Sequence, residues 1–166
     1  KDLIYLDSYQ PAENKYGYCR KFLEACLDLE FPIFINEKSP LLLKDLDILN
    51  EINKKSYVNV GWSIIASESN KAFSIFESNS PNPESRFESM KILSNNNILT
   101  GAIFMPILPY IYDTEENIEG VIKKTAANGG KYILDGGLTL NGYCKSYFFN
   151  FLEKYDSSLI EKYELL

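Results

Sequence analysis

Four groups of polar residues, each beside a short apolar run, are where this sequence could do chemistry. Asp7, Tyr9, Gln10 and Glu13 follow the run at residues 3–6, and Glu37, Lys38 and Ser39 follow the run at 32–35. Ser63 and Ser67 lie on or after the run at 57–65, and Asp135 follows the run at 132–134. If the runs are parallel strands, these residues stand beyond their carboxyl ends, where α/β architectures bind ligands. Acids, a lysine and hydroxyls gathered there could hold a polar ligand. Loops are also polar because water solvates them, and position alone does not separate the two explanations.

What the chain lacks narrows the chemistry. It has 3 cysteines and no histidine, so its own residues cannot build His-ligated zinc sites, Ser-His-Asp triads or Cys-His dyads. Cys19 and Cys26 share one apolar helical face and Cys144 falls on another. All three are expected in the core, where cysteine behaves as a small hydrophobe, and no residue is assigned to a metal. Gly136-Gly137 fits neither G-x-G-x-x-G nor G-x-x-x-x-G-K-[ST] and reads as a turn. Sparse, odd cysteines point to a reducing, cytoplasmic setting rather than a disulfide scaffold.

The formal net charge is −6 and the pI about 4.8. Without a basic stripe the chain is not expected to grip nucleic acid or a membrane surface. No apolar run approaches the roughly 18 residues of a membrane span, and the first residues lack a signal-peptide layout.

The elements that must hold these residues follow a βα rhythm over a single domain, residues 1–166, of 45% hydrophobic residues. Five strands are expected, at 3–6, 32–35, 57–65, 101–105 (ended by Pro106) and 132–134. Between them, Phe22, Leu23, Cys26 and Leu27 mark one helical face and Leu42, Leu46, Leu49 and Ile52 another. Asn82 with Pro83 starts a third helix, through Phe87, Met90 and Leu93. Asp113 with Glu116 forms a capping box for a fourth, through Ile118, Val121 and Ile122. Asn128-Gly129-Gly130 ends it, and a last helix buries Cys144, Tyr147, Phe148, Phe151, Leu152 and Tyr155. Right-handed crossovers would place the helices on one side of a curled, barrel-like sheet or on both sides of a doubly wound one. Periodicity leaves both open.

Several strings resemble the radical S-adenosylmethionine proteins related to spore photoproduct lyase. The segment from Asp7 to Glu13, "DSYQPAE", is similar to that family's "DPYQPxE", with Arg20-Lys21 following. "PIFINEKS" resembles its next strand, and "LLLKDLDIL" the helix usually written with Arg-Asp-Leu-Asp. "VNVGWSI" leads to Phe76-Glu77, Pro81, Pro83, Glu84 and Arg86, similar to "FEPgxpsPxxR". "GAIFMPILPYIYDTEENIE", "GGLTL" and "EKYELL" extend the likeness over essentially the whole chain.

The resemblance implies an incomplete (β/α)6 TIM-like partial barrel with about five parallel strands and helices outside. The missing strand and its CxxxCxxC loop would lie upstream of Lys1. It implies a [4Fe–4S] cluster and S-adenosylmethionine for the full-length parent, generating a 5′-deoxyadenosyl radical, with this chain alone inactive and binding neither cofactor fully. Asp7 and its neighbour Tyr9 would lie near the aminoacyl end of S-adenosylmethionine, Lys38 by its carboxylate and Ser63 near its ribose. Leu6 and Ser8 depart from the family, as do Ile65-Ala66. The alternative is a degenerate, non-catalytic binding or scaffold module. The expected partner is the upstream barrel segment, or a second copy at the open edge of the strand at 3–6.

Overall fold

Val58, Val60 and Trp62 alternate with Asn59, Gly61 and Ser63, and this period of two assigns each residue to a face of the sheet. In the computed structural model, which describes residues 8–166, the strands pair in parallel and in chain order. They are β1 (Ile33–Glu37), β2 (Val58–Ser63), β3 (Leu99–Ile107) and β4 (Ile133–Gly137). Helices α1 (Glu13–Tyr16) and α2 (Tyr18–Asp28) precede β1. A 3-10 turn, Pro40–Asp45, and α3 (Leu46–Lys55) lead to β2, and α4 (Lys71–Phe76) and α5 (Pro83–Asn95) lead to β3. Then α6 (Glu115–Ala127) leads to β4, and α7 (Tyr143–Asp156) and α8 (Ile160–Glu164) follow.

An unbroken strand order means that every crossover steps the same way across the sheet. Right-handed crossovers then lay their helices on one side; a doubly wound sheet would reverse its order partway. Burial agrees. Val58, Val60, Trp62, Thr100, Ala102 and Phe104 are at most 3% exposed, with α3, α5 and α6 packed on these strands. On the other face Phe34, Met105 and Leu134 are 56%, 45% and 49% exposed. The strands' own side chains fill part of that face. A Cβ on Gly61 would lie 2.8 Å from Ile103, and one on Gly101 would lie 2.5 Å from the Tyr132 carbonyl.

Several expectations need correction. Four strands stand where five are expected, because the one at residues 3–6 falls outside the described residues. Pro106 does not end β3, which continues to Ile107. Proline has no N–H to give, and the β3–β4 register shifts between Phe104 and Ile107. Gly136-Gly137 closes β4 rather than forming a turn. The cap of α6 is Thr114, whose hydroxyl accepts from the Asn117 N–H, and not Asp113. Ile122 is 49% exposed, and Thr125 is buried in its place.

The 6-residue α4 was not anticipated, being too short to show a helical period. In α7 the buried arc begins a turn later than expected. Phe148, Leu152 and Tyr155 pack, Phe148 against Phe76 and Tyr163, while Cys144 and Tyr147 are exposed. Of the cysteines only Cys26 is fully in the core; Cys19 is half-buried.

The start of α5 is as expected. The Asn82 side chain accepts from the Ser85 N–H at 2.8 Å, and Pro83 opens the helix. Asn82→Ala should lower stability by about 1 kcal/mol in a urea titration. No helix among the described residues is long and apolar enough to cross a membrane.

Candidate functional site

Glu37 ends β1 on the helix-covered face, paired with Trp62, and is fully buried. A carboxylate there must find donors. It accepts from the backbone N–H groups of Lys38 (2.8 Å), Ser39 (3.0 Å) and Tyr9 (3.1 Å). One buried acid therefore fixes the loop that carries Lys38 and binds it to the segment carrying Tyr9. Ser39 caps the following 3-10 turn by accepting from the Leu41 N–H.

Tyr9 is 3% exposed, and its hydroxyl donates to Asp45 at 3.0 Å. Burial, reinforced by the Asp45 charge, raises the phenol well above its ordinary range, so it stays a proton donor. Asp45 also accepts from Arg20 at 3.0 Å, and Arg20 forms a two-bonded fork with Asp47 at 2.9 and 2.7 Å. That fork brings the Asp47 carboxyl down to about 2.

Glu13 does the work of a helix cap. Gly17, at a φ of 61°, turns the chain into α2, and the Glu13 carboxylate accepts from the Tyr18 and Cys19 N–H groups at 3.0 Å each. Lys44 donates to it at 3.3 Å. Burial alone would raise this carboxyl, but the bonds from Cys19 and Lys44 outweigh burial and hold it below its usual range. Burial and the neighbouring Glu13 push the Cys19 thiol up to about 11, which removes it as a ready nucleophile at neutral pH.

A sign follows for pH. The Glu13 contribution is complete above about pH 4.3, the ordinary glutamate value, and fades as the pH falls through the lower folded value. The protection of the Tyr18 and Cys19 amides, measured relative to their intrinsic exchange rates at each pH, should therefore fall on acidification. Glu13→Gln should flatten that pH dependence.

Lys38 and Ser63 come together through partners that the sequence did not assign. Lys38 Nζ donates to Glu77 at 3.2 Å. The other Glu77 oxygen accepts from Arg86 Nη2 at 2.5 Å, and Arg86 Nη1 donates to the Ser63 carbonyl at 2.5 Å. Lys38, directly after β1, and Ser63, at the end of β2, are thus linked across neighbouring strands. Ser63 shares the open face with Ile103. A glutamate and an arginine beside core positions of α4 and α5 were the available signal, without showing that the two meet.

Tyr9 is joined to the Lys38 loop through Glu37, but its side chain bonds to Asp45 and not to Glu77 or Arg86. With Glu13, Tyr18, Phe22, Phe34 and Asn36 it lines a groove of about 510 Å³ between α2 and β1. Asp7 lies outside the described residues. Ser67 donates its N–H to Asn117 and accepts at its carbonyl from Lys124, and Asp135 is exposed within β4. Asn117, which the sequence reading missed, also donates to the Ile65 and Tyr112 carbonyls, so it ties the loop after β2 to the start of α6. Among the described residues no group of three or more Cys, Asp or Glu side chains is arranged to hold a metal ion.

Relatives are distant and longer. Over 160 residues the chain is 25% identical to an uncharacterized protein of Mycobacterium bovis and to one of Mycobacterium tuberculosis, covering 96% of this chain and 47% of each relative. It is 32% identical over 126 residues to an uncharacterized protein of Acidianus two-tailed virus, which covers 74% of this chain and 40% of that relative. No protein-family model and no solved structure matches it. The chain spans about half the length, or less, of these curated relatives.

Proposed function

We propose that this chain is part of a radical S-adenosylmethionine enzyme barrel, the part that holds the organic portion of S-adenosylmethionine. The observation that carries the reading is the linked pair Lys38 and Ser63 at the carboxyl ends of adjacent parallel strands. A sheet with unbroken order, helices on one side and an apolar, partly open opposite face supports the barrel interpretation, the open face being its interior. The matched relatives are about twice as long, which leaves room for the rest of such a barrel. That remainder would carry the cysteine loop, and a cytoplasmic setting goes with the reading.

The residues fit the two cofactors unequally. Lys38 is a cationic donor suited to a carboxylate, and Ser63, at the end of the neighbouring strand, carries a hydroxyl. The described residues do not fit a [4Fe–4S] cluster: they hold no grouped set of three cysteine ligands. When bound, S-adenosylmethionine would supply the 5′-deoxyadenosyl group. This chain's residues would orient it, with Lys38 taking the carboxylate and Ser63 the ribose.

The test is binding of S-adenosylhomocysteine to the whole gene product. Lys38→Met should weaken it about tenfold, the size of one charge-assisted hydrogen bond. Absence of binding by the unaltered protein would overturn the reading. Reconstituting this chain alone with iron and sulfide should give no stoichiometric cluster, and a stable [4Fe–4S] spectrum would contradict the proposed division. A second reading, a non-catalytic scaffold, draws on one observation: Glu77 and Asp45 already engage Lys38 and Tyr9. Under that reading the same titration shows no heat.

A further inference from the structure

We infer that Arg86 and Glu77 are the positioning pair of the strand-end site, setting where the Lys38 ammonium and the Ser63 backbone stand. The inference rests on the reading of that site as an S-adenosylmethionine contact. Arg86 is 1% exposed. Its guanidinium donates to the Pro81 carbonyl from Nε at 2.9 Å and Nη2 at 2.6 Å, to Ser63 at 2.5 Å and to Glu77 at 2.5 Å. The Phe73 ring lies 5.6 Å from it.

A planar fork can satisfy these three directions together, which a lysine ammonium on a flexible stem cannot. The Ser63 carbonyl is thereby fixed at the end of β2, and the serine with it. Glu77, immediately after α4, divides its carboxylate between Arg86 and Lys38. The loop after β1 and the end of β2 are set by one buried ion pair, Glu77 from the α4–α5 connection and Arg86 from α5. Both residues are buried, so they act through Lys38 and Ser63 rather than on the ligand.

Two probes separate positioning from a general structural role. S-adenosylhomocysteine carries adenosine, sulfur and an amino-acid carboxylate, whereas 5′-methylthioadenosine lacks the carboxylate. Calorimetry on the whole gene product would compare Glu77→Asp, Arg86→Lys and Lys38→Met. Glu77→Asp keeps a negative charge by Arg86 but withdraws it from Lys38. It should raise the Kd for S-adenosylhomocysteine about tenfold, one charge-assisted bond, and leave 5′-methylthioadenosine unchanged.

Arg86→Lys releases Ser63 as well and should weaken both probes. Equal weakening of both probes by Glu77→Asp, or none, overturns the inference. Should Glu77→Asp fail to fold, Arg86→Lys decides: unchanged affinities for both probes overturn it. If Lys38→Met leaves S-adenosylhomocysteine unaffected, or the unaltered protein binds neither probe, the reading of the site fails and the inference falls with it.

Discussion

Glu77→Leu should destabilise the protein by about 3–5 kcal/mol, because it leaves the buried Arg86 guanidinium without its counter-charge. The carboxylate accepts from Arg86 at 2.5 Å and from Lys38 at 3.2 Å, so the leucine strands one fully buried cation and one partly exposed one. The loss belongs to the pair and not to Glu77 alone. Replacing both members by apolar residues, Glu77→Leu with Arg86→Met, should recover much of it, since matched hydrophobic substitution of a buried ion pair is often neutral. Urea unfolding of the two single variants and the double variant measures the coupling. Additive losses would mean that the two side chains do not depend on each other.

Trp62→Ala should cost about 3–5 kcal/mol, the usual range for emptying a buried aromatic site. Trp62 is fully buried in the centre of β2, on the helix-covered face. Its indole N–H has no acceptor among the described residues. An orphaned buried donor carries a penalty of about 1–3 kcal/mol, which Trp62→Phe removes while retaining most of the ring. The phenylalanine variant should therefore lose far less than the alanine variant. Trp62 is the only tryptophan, so unfolding of both variants is best followed by circular dichroism. Equal losses would show that the N–H is satisfied in solution.

Legibility in the sequence followed the range of the interactions. Strands β1 to β4 were readable because Val58-Val60-Trp62 and its counterparts are local patterns of the right length. Asn82 and the Asn128-Gly129 stop were readable because a cap concerns only the next turn, and Gly129 does adopt a positive φ of 81°. Asp113 and Thr114 are both competent caps, and only the extended backbone at Thr114 decides between them. The place of Lys38 directly after β1 could be found from the strand end alone, and Ser63 from its position late in the β2 run.

Their partners could not. Lys38 meets Glu77 39 residues away, and Tyr9 meets Asp45 36 residues away. Pairings of that span are set by the packing of α4, α5 and the 3-10 turn, not by any local motif. The misplacement of Cys144 and Tyr147 has the same origin. Their helical spacing suits a core, but the surfaces that α7 meets, Phe76 and Tyr163, lie opposite later turns.

Strand order equal to chain order also bears on how the protein is made. As the chain leaves the ribosome, β2 emerges to find β1 already available for pairing, and β3 then finds β2. No strand waits for a distant successor to be translated, and each βα unit docks on the edge left by the unit before it. Such nearest-neighbour assembly keeps loop closures shorter than a reordered sheet of the same strands would need, and it suits folding that proceeds from the N-terminal side during synthesis. Of the two described edge strands, β1 and β4, it is β4, the last to emerge, that has no later described strand to pair with its outer edge.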